Sequence, residues 1–223
     1  MILGDPTPKF FPTEFPGGLY VTTRRDVGTD RYYWRITQWL MPCFSFFPPY
    51  GDNPCGGHAF VPIDDGNCWT FSIDYHPNRT LTETELNAMH EGKGIHVQLI
   101  EGTFTPVANR RNDFLIDRAA QKAKKTYSGV LNVGVQDAAV QESMGPIQDR
   151  ARENLVSSDN NIIMARRRLM EAADGVARGA APPGLDPVVQ NARAVSVVAP
   201  RELSLIDAVA KAQESMETAD TRR

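Results

Sequence analysis

The chain has 223 residues, 41% hydrophobic and 23% charged, with a formal net charge of −3. That suffices for one substantial domain with a core, in the ordinary composition of a soluble globular protein. The charge balance gives no preference for nucleic acid or an anionic membrane surface. No apolar run approaches the roughly 20 residues of a membrane helix, and MILGDPTPKF lacks a signal-peptide pattern. The chain instead enters at once into Pro-punctuated, extended stretches, an unusual start for a complete protein. The three cysteines (Cys43, Cys55 and Cys68) form no Cys-x-x-Cys pair, which points to a reduced, cytoplasmic protein.

The first third reads as β. RYYWRITQWLM (31–41) is rich in aromatic and β-branched residues, with Trp34, Ile36 and Leu40 on one face. Pro48-Pro49 and Gly51-Asp52-Asn53-Pro54 mark a loop. HAFVPI (58–63) and CWTFSIDYH (68–76) flank Asp64-Asp65-Gly66-Asn67, a hairpin turn signal. In the second strand Trp69, Phe71, Ile73 and Tyr75 alternate with more polar residues, which predicts a half-buried antiparallel strand. Thr82-Glu-Thr-Glu85 is a capping box and predicts a helix over 83–90. IHVQLI (95–100) reads as another strand, and 113–124 as a helix capped by Asp113. The clearest helix is 159–177, with Ile162, Ile163, Leu169, Met170, Ala173 and Val176 as its buried stripe and Arg166 to Arg168 toward solvent. GAAPPGLDP (179–187) is a linker to an extended piece near 193–198. A last helix over 202–217 would turn Leu203, Ile206, Val209 and Ala210 inward. The order, an antiparallel sheet first and helices later, predicts an α+β fold.

Histidine is scarce: His58, His76, His90 and His96. Cys55-Gly-Gly-His58 matches half of a Rieske motif, but its Cys-x-His half is missing, so both residues read as structural. His76 reads as a turn or packing residue. His90 and His96, with Glu83, Glu85 and Glu91 nearby, allow an iron or zinc site, although a solvated helix end is the commoner meaning. No P-loop, Rossmann or Gly-x-Ser-x-Gly fingerprint occurs. Asp137, within VQDAAVQE, reads as the cap of a short helix over 138–144, or as a buried acid bound to a metal or to Arg150.

Five segments together narrow these alternatives: YYWRITQWLMP (32–42), GHAFVPIDD (57–65), YHPNRTLTETE (75–85), RNDFLIDRAAQ (111–121) and QDAAVQESMGPIQDRARENLVSSDNNIIMARRRLMEAA (136–173). The chain resembles the C-terminal catalytic domain of the α subunit of Rieske non-haem iron oxygenases, in the phthalate 4,5-dioxygenase and dehydrodivanillate O-demethylase group. The resemblance covers roughly residues 15–195. It implies a helix-grip (Bet v 1/START-like) fold, a curved antiparallel sheet with C-terminal helices. It also implies a mononuclear Fe(II) held by two His and one carboxylate, with O2 as co-substrate and a [2Fe-2S] cluster in a Rieske domain. Asp137 matches the carboxylate position, with Gln141 one turn along as a second-shell partner. Asn112 and Asp113 are candidates to face the pocket, and Arg110, Arg111 and Arg118 to pair with a substrate carboxylate.

The family's Asp-x-x-His-x-x-x-x-His motif occurs nowhere in these residues. The resemblance therefore implies a portion of a catalytic domain, incomplete at its N-terminus, over 1–180. Residues 181–223 would be a linker and a helix packed on the same domain. It implies an oxygenase acting on an aromatic acid or methoxy-arene, served by a reductase or ferredoxin and assembled as a homotrimer, with the isolated chain inactive. The rival readings are a helix-grip module that binds an apolar or aromatic ligand without metal, and a metal site built on His90 and His96.

Overall fold

The structure, a computed structural model, describes residues 4–191, 194–208 and 210. Its described strands form one open antiparallel sheet. β1 (Lys9–Phe15), β2 (Gly18–Val27), β3 (Arg31–Leu40), β4 (Phe44–Phe47), β5 (Cys55–Pro62) and β6 (Cys68–Tyr75) neighbour one another in chain order. β7 (Val195–Pro200) comes from far along the chain and pairs with β3. The helices are α1 (Glu83–His90), α2 (Arg118–Lys122), α3 (Val133–Ser143) and α4 (Asn160–Ala177). The fold is α+β, as the order of elements predicts, and helix-grip-like, as the resemblance implies.

β3 organises the sheet. Its Trp34, Ile36, Gln38 and Leu40 alternate on one buried face, as period-two patterning requires. It pairs with β2 along its whole length, with Thr22 opposite Ile36. Its other edge is shared: β7 takes Arg31 to Ile36 and β4 takes Gln38 to Leu40. Trp34 packs with Ala199 and Ala208, Ile36 with Val195, and Leu40 with Phe46 and Ala194. The Arg24 guanidinium lies 4.1 Å from the Tyr32 ring centroid, within cation–π range.

The chain divides into two compact units. One comprises Met1–Val61, Ile73–Arg79 and Glu153–Arg223; the other comprises Pro62–Ser72 and Thr80–Arg152, so the division falls within β6. The second unit has its own small core of Phe114, Val130 and Val135, flanked by Val97, Ala108, Ile116 and Ala139.

Several local expectations hold. Thr82 caps α1 by accepting the Glu85 amide at 3.3 Å, while the Glu85 carboxylate accepts the Thr82 amide at 2.7 Å. Asp64 closes the β5–β6 turn on the Gly66 amide at 2.8 Å. His76 bridges the Asn78 amide and Asp52, a turn role.

Others are corrected. IHVQLI is not a strand: residues 95–100 contribute a single bridge, Leu99 to Pro106. The helix expected from Asp113 starts only at Arg118, because Asp113, Phe114 and Leu115 all have φ near +52° and the cap is Asp117. In β6 only Ile73 and Tyr75 join the core, whereas Trp69 and Phe71 are exposed. Ile206 and Ala210 are exposed, and Ala208 is buried. Val209 and residues 211–217 of the expected 202–217 helix lie outside the described residues. The largest difference is α4: Ile162, Ile163, Leu169, Met170 and Val176 face outward, and Asn161 is its buried residue.

Candidate functional site

The candidate site is built on α3. Asn132 starts this helix, with its side chain accepting the Val135 amide at 2.7 Å. Asn is among the best N-caps because its short amide satisfies an otherwise orphan N–H. The same side chain donates to the Gly92 carbonyl, and the Gly134 amide bonds the Gly94 carbonyl at 3.1 Å. A Cβ on Gly134 would sit 2.5 Å from the Ile95 carbonyl oxygen, so only glycine permits this approach. The start of α3 is thus clamped onto the loop that follows α1. Farther along, Val135 is buried with Phe114 and Val130.

Asp137 is the fifth residue of α3, so it is neither the helix cap nor a buried acid: its carboxylate is exposed. Helical spacing places it on one face with Val133, Val140, Gln141 and Met144. Of these, the three apolar residues are exposed as well. No hydrogen bond or ion pair engages the Asp137 carboxylate among the described residues. A free carboxylate framed by uncovered Val and Met side chains is unlike an ordinary solvated helix face, which is polar throughout.

The turn Arg110–Leu115 packs against α3. Three consecutive left-handed residues there are costly, about 1–3 kcal/mol each for side-chain-bearing residues. Phe114, inserted into the core, and the side chains of Asn109 and Asn112 hold the turn. The Asn112 Oδ1 accepts the Asn109 amide at 2.9 Å, and its Nδ2 donates to the Val107 carbonyl at 2.7 Å. The Asn112 amide is therefore committed to the backbone of its own turn. Asp113 is exposed on the same turn, and Arg110, Arg111 and Arg118 lie on the surface. His90 is exposed and His96 is buried. Among the described residues no three His, Cys, Asp or Glu side chains converge in a way that could hold a metal ion.

Asn132 and Gly134 are the site residues that pattern reading misses. Their signal is present nonetheless: an Asn directly before a run of small and apolar residues is the usual start of a helix.

The chain itself belongs to a defined family. The chain is a member of the LigXa C-terminal domain-like family, whose model matches residues 13–218. Among curated proteins it is 28% identical over 192 residues to the 3-chlorobenzoate-3,4-dioxygenase oxygenase subunit of Comamonas testosteroni, covering 80% of this chain and 44% of that protein. It is also 28% identical over 158 residues to the phthalate 4,5-dioxygenase oxygenase subunit of Pseudomonas putida, covering 70% of this chain and 35% of that protein. The chain thus spans less than half the length of the curated relatives it matches.

Proposed function

We propose that the chain is the C-terminal catalytic portion of a ring-hydroxylating or O-demethylating Rieske-type oxygenase acting on an aromatic acid or methoxy-arene, and that Asp137 is its carboxylate contribution to a mononuclear iron site. The observation that carries this reading is the Asp137 face of α3. Its carboxylate is unengaged, framed by exposed Val133, Val140 and Met144, and held on a helix clamped at Asn132 and Gly134. Gln141, one turn along on the same face, is in this reading its second-shell partner. An anionic oxygen ligand suits Fe(II), and the two relatives are by name dioxygenase oxygenase subunits.

The described residues do not by themselves fit a complete iron site, since one carboxylate has no converging partners. The two imidazole ligands, and the Rieske [2Fe-2S] cluster that would relay electrons from a reductase or ferredoxin, come in this reading from polypeptide outside these 223 residues. No chemical step is assigned to the chain alone, which is expected to be inactive.

Anaerobic titration of the purified chain with Fe(II), followed by elemental analysis, tests this directly. The expected result is far less than one iron per chain, unchanged in Asp137→Ala and in His90→Ala. Near-stoichiometric iron that is lost in His90→Ala overturns the reading in favour of a site on His90 and His96. DNA upstream of the Met1 codon supplies a second check: a stretch encoding Asp-x-x-His-x-x-x-x-His and a Rieske motif is expected there.

A further inference from the structure

We propose that Tyr33 and Arg35 form a binding site for the carboxylate of a small aromatic acid, beneath the loop that joins β4 to β5. For the aromatic body of the ligand the proposal rests on the function proposed above; the anion follows from the side chains alone.

One face of β3 carries Trp34, Ile36, Gln38 and Leu40 into the core, and the other carries Tyr33 and Arg35, two residues apart. Tyr33 is 3% exposed, yet its hydroxyl has no hydrogen-bond partner. The Arg35 Nη1 is likewise buried and unpartnered. No carboxylate pairs with this guanidinium among the described residues. Buried polar atoms are nearly always satisfied, and a buried cation without an acceptor is costlier still. Two such donors on one strand face call for a shared acceptor.

The neighbouring polar groups have other partners. In register, Arg35 lies between Thr23 of β2 and Ser196 of β7. The Thr23 hydroxyl donates to the Arg35 carbonyl at 3.4 Å, and the Ser196 hydroxyl donates to the Pro49 carbonyl at 2.8 Å. That second bond sets residues 48–54 over Arg35, with the Tyr50 ring centroid 4.7 Å from the guanidinium carbon. The acid of this loop, Asp52, turns instead to His76 at 3.1 Å and Arg79 at 3.5 Å. Arg25, registered opposite Tyr33, donates from Nε to the Asp5 carbonyl at 3.2 Å, and the Asp5 carboxylate accepts the amides of Thr7 and Asp26.

The number and charge of the donors define the ligand. One guanidinium and one phenolic O–H match the two oxygens and single charge of a carboxylate. A phosphate, with more oxygens and more charge, would be left under-satisfied. Tyr50 supplies an aromatic wall for a flat ring. Both donor atoms are sealed from solvent, so the ligand enters by displacing the Tyr50 side chain, which is 48% exposed.

Isothermal titration calorimetry of the full 223-residue chain with benzoate, in low chloride, is the test, with benzamide as the neutral isostere. The wild type is expected to bind one benzoate with a Kd below about 1 mM, and benzamide at least tenfold more weakly. Arg35→Met is expected to weaken benzoate binding at least about tenfold, and Tyr33→Phe about threefold to tenfold. Ligand-free thermal melts separate binding from folding. Because neither donor has a partner, both variants should melt no more than about 3 °C below the wild type. Four results overturn the proposal: no benzoate binding by the wild type, equal binding of benzamide, undiminished binding in Arg35→Met, or a larger loss of melting temperature in both variants. The titration uses no iron, so its failure leaves the Asp137 reading standing. Iron bound through His90 would overturn that reading and leave this site in place.

Discussion

Asn132 accepts one helix amide and donates to the Gly92 carbonyl, so a single side chain both starts α3 and ties it to a neighbouring loop. Removing it leaves two backbone groups without partners at the base of the helix that carries Asp137. Asn132→Ala is expected to lower unfolding stability by about 1–2 kcal/mol, measured by urea titration. Gly134→Ala is expected to cost about 1–3 kcal/mol, because its Cβ would meet backbone rather than a side chain that can rotate away. Tyr75 and Cys55 form a different kind of pair, hydrogen-bonded to each other inside the sheet unit. Burial pushes the Tyr75 hydroxyl and the Cys55 thiol up from ordinary values of 10.0 and 9.0. The unfolded chain therefore releases these protons first as pH rises, and the folded chain binds more of them. Stability from this pair is complete below pH 9 and falls above it, by at most about 1.4 kcal/mol per pH unit for each group. Urea midpoints between pH 8 and 11 should decline less steeply in Tyr75→Phe than in the wild type.

Among the elements, α4 depends on its arginines unequally. Arg168 reaches the carbonyls of the β1–β2 turn, while Arg167 pairs at the surface with Glu14 and Glu171. Arg168→Ala is expected to cost about 1–3 kcal/mol by orphaning those contacts, and Arg167→Ala under about 1 kcal/mol, both measured by urea titration. The sequence shows plainly where α4 begins and ends and which residues form its apolar stripe. It does not show that the stripe turns outward, because periodicity records that a face is apolar and not which way the helix is rotated on its sheet. Turns and caps were legible for the opposite reason. Thr82 with Glu85 and Asp64 with Gly66 satisfy one another over two or three residues, so no distant partner enters. IHVQLI has the alternation of a strand but finds one bridge rather than a partner strand. The turn at Asp113 is set by Phe114 reaching Val130 and Val135, a contact no local pattern announces. For the candidate site, Asp137 could be singled out only through the long match over 136–173. Its exposure and its helix cap come from the structure.

At the scale of the molecule, the two units rest on cores of different size. Among the described residues the sheet unit has three buried clusters, and the other unit has one, centred on Phe114, Val130 and Val135. Phe114→Ala removes a contributor whose burial is worth about 3–5 kcal/mol. It is expected to open residues 80–152 while the sheet stays protected, which amide hydrogen exchange read by mass spectrometry resolves segment by segment. Loss of protection across β2 and β3 to the same degree would show that the units unfold together. The pairing of β3 with β7 has a further outcome for the chain as it is made. The Arg31–Ile36 edge of β3 waits for Val195–Pro200, so its carbonyls and amides stay open while roughly 160 more residues are translated, about 10–30 s at typical elongation rates. Throughout that interval the nascent sheet offers an unfilled slot to any other extended segment nearby, an exposure to mispairing that ends only when β7 emerges.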